Sequence, residues 1–434
     1  MWNNLPEDLL TEVLLRFPAN SLWELRRVSK SWQSLIDSDD FIKSHLIRSS
    51  PPVKLLFDGK SASLEQGTQA CCYATAEFDL PSKIESTLEK IDIPFHRVLF
   101  AKNKGKEITE LRFQGSYNGL ICMSYQVELK LEALLWNPCI NQYFILPNSP
   151  VSLSHYYDPE EVRMDYRHHI HICYGFGYDE TRDDYKVVRI VQFRRNKVMN
   201  DYDNSTRSLV QKEAKIYSLK SNSWKSVSPD DLFPHPVMFE HYEITTLANY
   251  ALHWVVRSDD GRNAIAALDL RSDKYHLVPW PQSDDDDDFN LKRTCWALGV
   301  VDGCFSFTCA PKSILRSGFD LWIMKDYGVR DSWTKLKFDV EYINLWPLFV
   351  GGYTYGESRT AGRKFFFGTE TEFVWCSVSV EEGSLNNPIV VYTNYCGMRS
   401  VHGAYIHTDT LVRPRPSYCG DIKKRKRKLC DISH

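Results

Sequence analysis

The sequence predicts a mainly β protein with a small helical unit at its N-terminus. Apolar side chains recur at helical spacing over residues 5–46. After Pro52 the chain changes to short runs rich in Tyr, Phe, Trp, Val and Ile, bounded by Gly, Asn, Asp, Ser and Pro. Those runs also repeat, which suggests how the β part is assembled.

In the helical unit, Pro6 suits a first turn, and Glu7 and Asp8 favour the positive end of a helix dipole. Leu9, Leu10, Val13, Leu14 and Phe17 then form one apolar face, and Pro18 stops the helix. Ser21 is the expected cap of a second helix through Leu22, Trp23 and Leu25, and Ser29 that of a third with Trp32, Leu35 and Ile36. Asp39 or Asp40 is expected to start a fourth, carrying Phe41, Ile42, His45 and Leu46, before Pro51-Pro52 ends the region. About 45 residues cannot bury all of these leucines and tryptophans, so part of the surface calls for a partner.

Four later segments share one design: an apolar strand, a polar turn, and a second strand that opens with an aromatic. They are 134–147, 214–227, 264–281 and 320–338. Between them lie segments of a second kind, at 117–125, 174–190, 250–256 and 296–309. A four-stranded sheet cannot bury both faces alone, and stacking such sheets radially buries each against the next. The prediction is a β-propeller-like domain of about six sheets, with a large β-sandwich as the alternative. Trp136, Trp224, Trp254, Trp322 and Trp333 are expected in the core or closing strands.

The composition, 43% hydrophobic and 25% charged, is that of a soluble chain. The net charge of −3 gives no global argument for nucleic acid. No run approaches a membrane span, and the acidic start is unlike a signal peptide. A cytosolic location is expected, with the twelve cysteines as buried free thiols. His168, His169 and His171 lack further ligands at zinc spacing and read as a surface loop, so no metal and no cofactor is expected. Nucleophile-elbow, zinc-protease and P-loop signatures are absent. The Gly175-Phe176-Gly177 run precedes a strand, and Asp183-Asp184 lies in a turn, so no catalytic residue is assigned.

Two charge runs stand apart. Asp284, Asp285, Asp286, Asp287 and Asp288 form a solvated loop, and 423–428 is a run of six cations in a tail, 421–434, expected to be disordered. Removing those cations from a chain of net −3 leaves −9 on the body. The tail resembles a nuclear import signal, which adds the nucleus to the expected locations.

The N-terminal stretch resembles the F-box of plant F-box proteins. Leu5-Pro6, Leu9, Val13, Leu14, Pro18, Ser21-Leu22, Arg26, Val28-Ser29-Lys30, Trp32 and Leu35-Ile36 fall at that family's spacing, with a departure at Ala19-Asn20. The resemblance implies an F-box over 2–48 that docks a Skp-family adaptor and, through it, a cullin and a RING subunit. The implied adaptor face is Leu5, Pro6, Leu9, Val13, Leu14, Val28, Ser29, Lys30 and Trp32.

Residues 53–415 are similar to the F-box-associated, kelch-like domain. The similarity rests on Tyr117-Asn118-Gly119-Leu120, Leu135-Trp136-Asn137-Pro138, 174–179, 184–189, Tyr217-Ser218-Leu219 and Ser223-Trp224. Trp322-Ile323-Met324, Tyr327-Gly328-Val329 and Ser332-Trp333 are most similar to the pollen-expressed S-locus F-box branch. That branch implies capture of a basic S-ribonuclease in self-incompatibility. The expected function is the non-catalytic substrate receptor of an SCF-type ubiquitin ligase. The alternatives are an F-box scaffold without ubiquitination and a propeller enzyme. Target binding is expected on loops, at Glu160 and Glu161 and at Asp284 to Asp288.

Overall fold

The computed structural model describes residues 6–49 and, from 53 to 416, the strands and most of the turns between them. Outside the described residues lie 1–5, 50–52, 62–70, 78–88, 151–169, 196–207, 228–244, 258–262, 282–293, 312–318, 339–351, 354–362, 369–371, 380–383, 393–397, 417–434 and a few single positions.

Four helices come first: α1 (Glu7–Leu14), α2 (Ala19–Leu25), α3 (Lys30–Ile36) and α4 (Asp39–Arg48). The strands follow in six antiparallel four-stranded sheets. Sheet A pairs β1 (Val53–Ser61), β2 (Cys71–Glu77) and β3 (Glu89–Ile91) with a strand from the far end of the chain, β24 (Met398–Thr408), in the order β24-β1-β2-β3. Sheet B runs β4 (Glu110–Tyr117), β5 (Leu120–Val127), β6 (Lys130–Asn137), β7 (Gln142–Ile145). Sheet C runs β8 (Ile170–Asp179), β9 (Asp184–Arg195), β10 (Ser208–Ser218), β11 (Ser223–Val227). Sheet D runs β12 (Thr246–Ala248), β13 (Ala251–Arg257), β14 (Asn263–Asp269), β15 (Lys274–Val278). Sheet E runs β16 (Thr294–Val301), β17 (Cys304–Pro311), β18 (Phe319–Met324), β19 (Trp333–Phe338). Sheet F runs β20 (Gly352–Tyr353), β21 (Arg363–Gly368), β22 (Glu372–Ser379), β23 (Ser384–Tyr392). Six four-stranded sheets match the number and strand count expected of a propeller-like domain.

The chain forms two compact units. One holds Met1–Leu146, Asn394–Met398 and Ala404–Arg415, and the other holds Pro147–Thr393, Arg399–Gly403 and Pro416–His434.

The two kinds of repeated segment are the two hairpins of a sheet. Segments 134–147, 214–227, 264–281 and 320–338 are third-to-fourth-strand hairpins. Segments 117–125, 174–190 and 296–309 are first-to-second-strand hairpins, and 250–256 carries the second strand of sheet D. Three of the third-to-fourth-strand turns, β6–β7, β10–β11 and β14–β15, share a device. A polar side chain at the strand end accepts a backbone N–H two or three residues on: Asn137 from Cys139 (3.0 Å), Ser218 from Ser221 (3.1 Å), Asp269 from Arg271 (2.8 Å). The residue four positions after it takes a left-handed conformation at Asn141, Asn222 and Asp273 (φ 52°, 52° and 55°), where Asn and Asp are tolerated. Asp179 and Asp183 repeat the device between β8 and β9.

In the second unit, sheet D is apolar on both faces, as a sheet between two others must be. Leu252, Trp254, Val256, Ala266 and Leu268 pack with Cys173, Val188, Ile190, Ala214 and Ile216 of sheet C. Their neighbours in register, among them Val255, Ile265 and Ala267, pack with Phe305, Phe307 and Trp322 of sheet E. Gly175 and Gly177 let β8 approach closely. An added Cβ would meet Leu252 at 2.9 Å from the first and Leu270 at 2.5 Å from the second. The Gly-x-Gly run is therefore a packing feature.

Trp136, Trp254 and Trp322 are buried, as expected. Trp224 and Trp333 are half-buried and open fourth strands, where each indole N–H donates to a proline carbonyl: Pro147 (2.8 Å) and Pro279 (2.9 Å). The described cysteines, Cys122, Cys139, Cys173, Cys304 and Cys309, are free thiols. Burial, with Asp409 beside it, pushes the Cys139 thiol up to about 12, and burial and Asp320 do the same at Cys309.

Candidate functional site

The helical unit divides its apolar residues between an inner and an outer face. Leu14, Leu15, Ala19, Leu22, Ile36 and Phe41 form a core. On α1 the outer stripe is Leu9, Val13 and, one turn beyond, Phe17, which are 56%, 40% and 41% exposed. Their i, i+4 spacing places them one above another. Val28, before α3, is 62% exposed, and Pro6 and Lys30 are also exposed, while Trp32 is half-buried.

Leu14 departs from expectation. It is 1% exposed inside the core and unavailable to a partner, because α1 turns it about 100° away from Val13, to the face that Leu10 also packs into the core. Leu5 lies outside the described residues.

Two caps also differ. Ser21 lies within α2, whose N-cap position is taken by Pro18. The α4 cap is Ser38, whose Oγ accepts from Phe41 N at 3.2 Å, with Asp39 and Asp40 in the first turn. Ser29 caps α3 as expected, accepting from Trp32 N at 3.1 Å.

The inner core is closed by residues that sequence reasoning did not assign to it. Ile140, in the β6–β7 turn, and Leu411, after β24, pack into it, and both are 2% exposed. Arg413 joins Arg26 on the Asp37 carboxylate, and both guanidinium groups flank the Trp23 ring, at 3.9 Å for Arg26 and 5.9 Å for Arg413. The only signal in the sequence was an apolar pair, Leu411-Val412, just past the last strand.

The expected target-binding residues Glu160, Glu161 and Asp284 to Asp288 lie outside the described residues, as do His168, His169 and the basic run. Among the described residues no cluster of three or more His, Cys, Asp and Glu could hold a metal ion.

The perturbed titratable groups have structural partners. His253 is fully buried, against Phe305 at 4.3 Å, and its Nε2 lies 2.7 Å from the Tyr327 hydroxyl. Tyr327 also reaches His276 at 3.1 Å. Burial, opposed by the Thr246 carbonyl and aided by His276, holds His253 down to about 3. It bridges sheets D and E as a neutral ring. At Asp179 burial favours the neutral acid, but Thr181, Arg182 and Lys186 outweigh it and hold the carboxyl well below the usual range.

A family model described as the F-box domain matches residues 2–44, and one described as the F-box associated beta propeller domain matches 81–395. The Arabidopsis thaliana F-box protein CPR1 is 30% identical over 341 residues, covering 76% of this chain and 72% of the relative. An Arabidopsis thaliana F-box/kelch-repeat protein is 28% identical over 339 residues, covering 77% and 79%. A further Arabidopsis thaliana F-box protein is 30% identical over 342 residues, covering 76% and 73%. With a helical unit that keeps its outer stripe open and a mainly β domain of four-stranded sheets behind it, this chain belongs to the F-box proteins that carry an F-box associated beta propeller domain.

Proposed function

We propose that the protein is the target receptor of an SCF-type ubiquitin ligase. Its F-box binds a Skp-family adaptor, the adaptor brings cullin and RING subunits, and the β domain holds a protein target. The supporting observation is the open stripe Leu9, Val13 and Phe17, with Val28, on a helical unit whose inner face is already filled. An amphipathic stripe of this kind fits a partner helix or groove. The receptor does its work by proximity: it raises the effective concentration of target lysines near a charged ubiquitin-conjugating enzyme. The chain itself makes and breaks no bonds.

The test is co-precipitation with adaptor and cullin, comparing wild type with a Leu9→Glu, Val13→Glu double variant. Both substitutions are on exposed positions, so the fold should survive. Capture by wild type alone supports the reading, and capture by neither form sinks it.

The target class is proposed from the resemblance and from charge. A body of net −9 steers basic partners, of which a basic S-ribonuclease is the proposed example. Neutralising Asp284 to Asp288 should weaken target binding and flatten its salt dependence, and an unchanged salt slope would reject this route. No described helix is long and apolar enough to cross a membrane. A cytosolic receptor with a nuclear share is proposed on the basic run 423–428, and deleting the run in a fluorescent fusion tests the nuclear share.

A further inference from the structure

The segment after β24 makes two sets of bonds. On one side it is fixed to sheet B. Asn137, fully buried, donates to the carbonyls of Thr410 (3.0 Å) and Val412 (2.8 Å), and Thr410 Oγ1 donates to Asn118 O at 2.8 Å. Gly119 leaves the space for this: an added Cβ would lie 2.3 Å from Thr410 Oγ1. On the other side, Leu411 fills the helical core and Arg413 reaches Asp37. The Arg413 side chain is 8% exposed and its Nε is buried without a hydrogen-bond partner. A desolvated guanidinium so placed depends heavily on its ion pair, so losing that pair is costly.

We propose that Thr410 to Arg413 form a positioning strap that sets the orientation of the F-box helices on sheet B. In the receptor reading, on which this consequence rests, the strap fixes where the adaptor stands and hence which lysines the ligase reaches. Leu411 and Arg413 are then positioning residues that touch neither adaptor nor target. Arg26 keeps its own bonds to Asp37 when Arg413 is removed, so the F-box retains its internal ion pair.

The test compares wild type, Arg413→Gln, Leu411→Ala and Arg413→Lys as full chains. Hydrogen exchange on the chain alone should show α2 and α3 amides exchanging at least tenfold faster in Arg413→Gln. Exchange in β13 and β14 should be unchanged, and Arg413→Lys should recover most of the protection. In a ligase reconstituted with adaptor, cullin and RING, the readout is the set of lysines modified on the receptor itself. Arg413→Gln should broaden that set while capturing adaptor as wild type does. Exchange within twofold of wild type in both Arg413→Gln and Leu411→Ala overturns the strap. So does an unchanged lysine set despite faster exchange. If Leu411→Ala fails to fold, Arg413→Gln decides alone. Failure of wild type to capture adaptor defeats the receptor reading instead, and the exchange measurement still judges the strap.

Discussion

Asn137 donates its side-chain amide to the carbonyl of Val412 at 2.8 Å, joining residues 275 positions apart in the chain. The same amide bonds Thr410 O, and the Oδ1 accepts from Cys139 N. One buried side chain thus ends β6, shapes the turn that presents Ile140, and holds the strap that presents Leu411.

Asn137→Ala should therefore destabilise the first unit by about 3 kcal/mol, because it strands two buried carbonyls and one N–H. Asn141→Ala, at an exposed turn with positive φ, should cost only about 1 kcal/mol. Urea unfolding of the two variants checks the ranking, and equal losses would contradict it.

Gly177→Ala should cost about 1–3 kcal/mol through overpacking, since its new methyl would meet Leu270 and Leu247 within 3 Å. Gly303→Ala meets nothing within 4 Å, and its φ of +76° leaves only backbone strain of about 1–2 kcal/mol. Restoring space with a Leu270→Ala background should soften the Gly177 effect and leave that of Gly303 alone. A double-mutant cycle without such coupling would argue against the packing account.

Lys186→Met tests the polar tie between sheets C and D. Lys186 is buried with Asp179 at 3.0 Å and Asp273 at 2.8 Å. Removing one partner of a buried pair costs about 3–5 kcal/mol. Arg182 remains on Asp179, so the lower end is expected. A denaturation midpoint equal to wild type would show that the tie is dispensable.

Stability should fall on mild acidification. Burial holds His253 down to about 3, and burial holds His407 down to about 4 against the pull of Asp409. Both folded values lie below the unfolded value of about 6.5. Above about pH 7 neither state binds these protons and stability is full. As pH drops below 6.5 the unfolded chain takes them up first, and each histidine removes up to about 1.4 kcal/mol per pH unit until its folded pKa is reached. Asp179, depressed in the fold, adds its loss only below about pH 4. Urea midpoints between pH 8 and 5 should slope downward, more gently in His407→Gln, and a flat profile would refute the assignment.

The sequence by itself determined the local elements. The β10–β11 and β14–β15 hairpins were legible because strand alternation and Asn or Asp turn chemistry are written within about fifteen residues. The stripe Leu9, Val13 and Phe17 was legible for the same reason, as a helical period. Cap positions slipped: Asp39 and Asp40 stand beside Ser38 and are equally cap-competent, and α2 starts from Pro18, which has no capping side chain, three residues before Ser21. Only the tertiary structure decided which apolar residues remain open. Leu9 and Leu14 read alike in sequence, and they separate into exposed and buried because Leu411 and Ile140 arrive from elsewhere to complete one face. The partnership of Asp37 with Arg413 spans 376 positions. No local pattern records such a pair, because it forms only when β24 joins sheet A and carries the end of the chain back to its beginning.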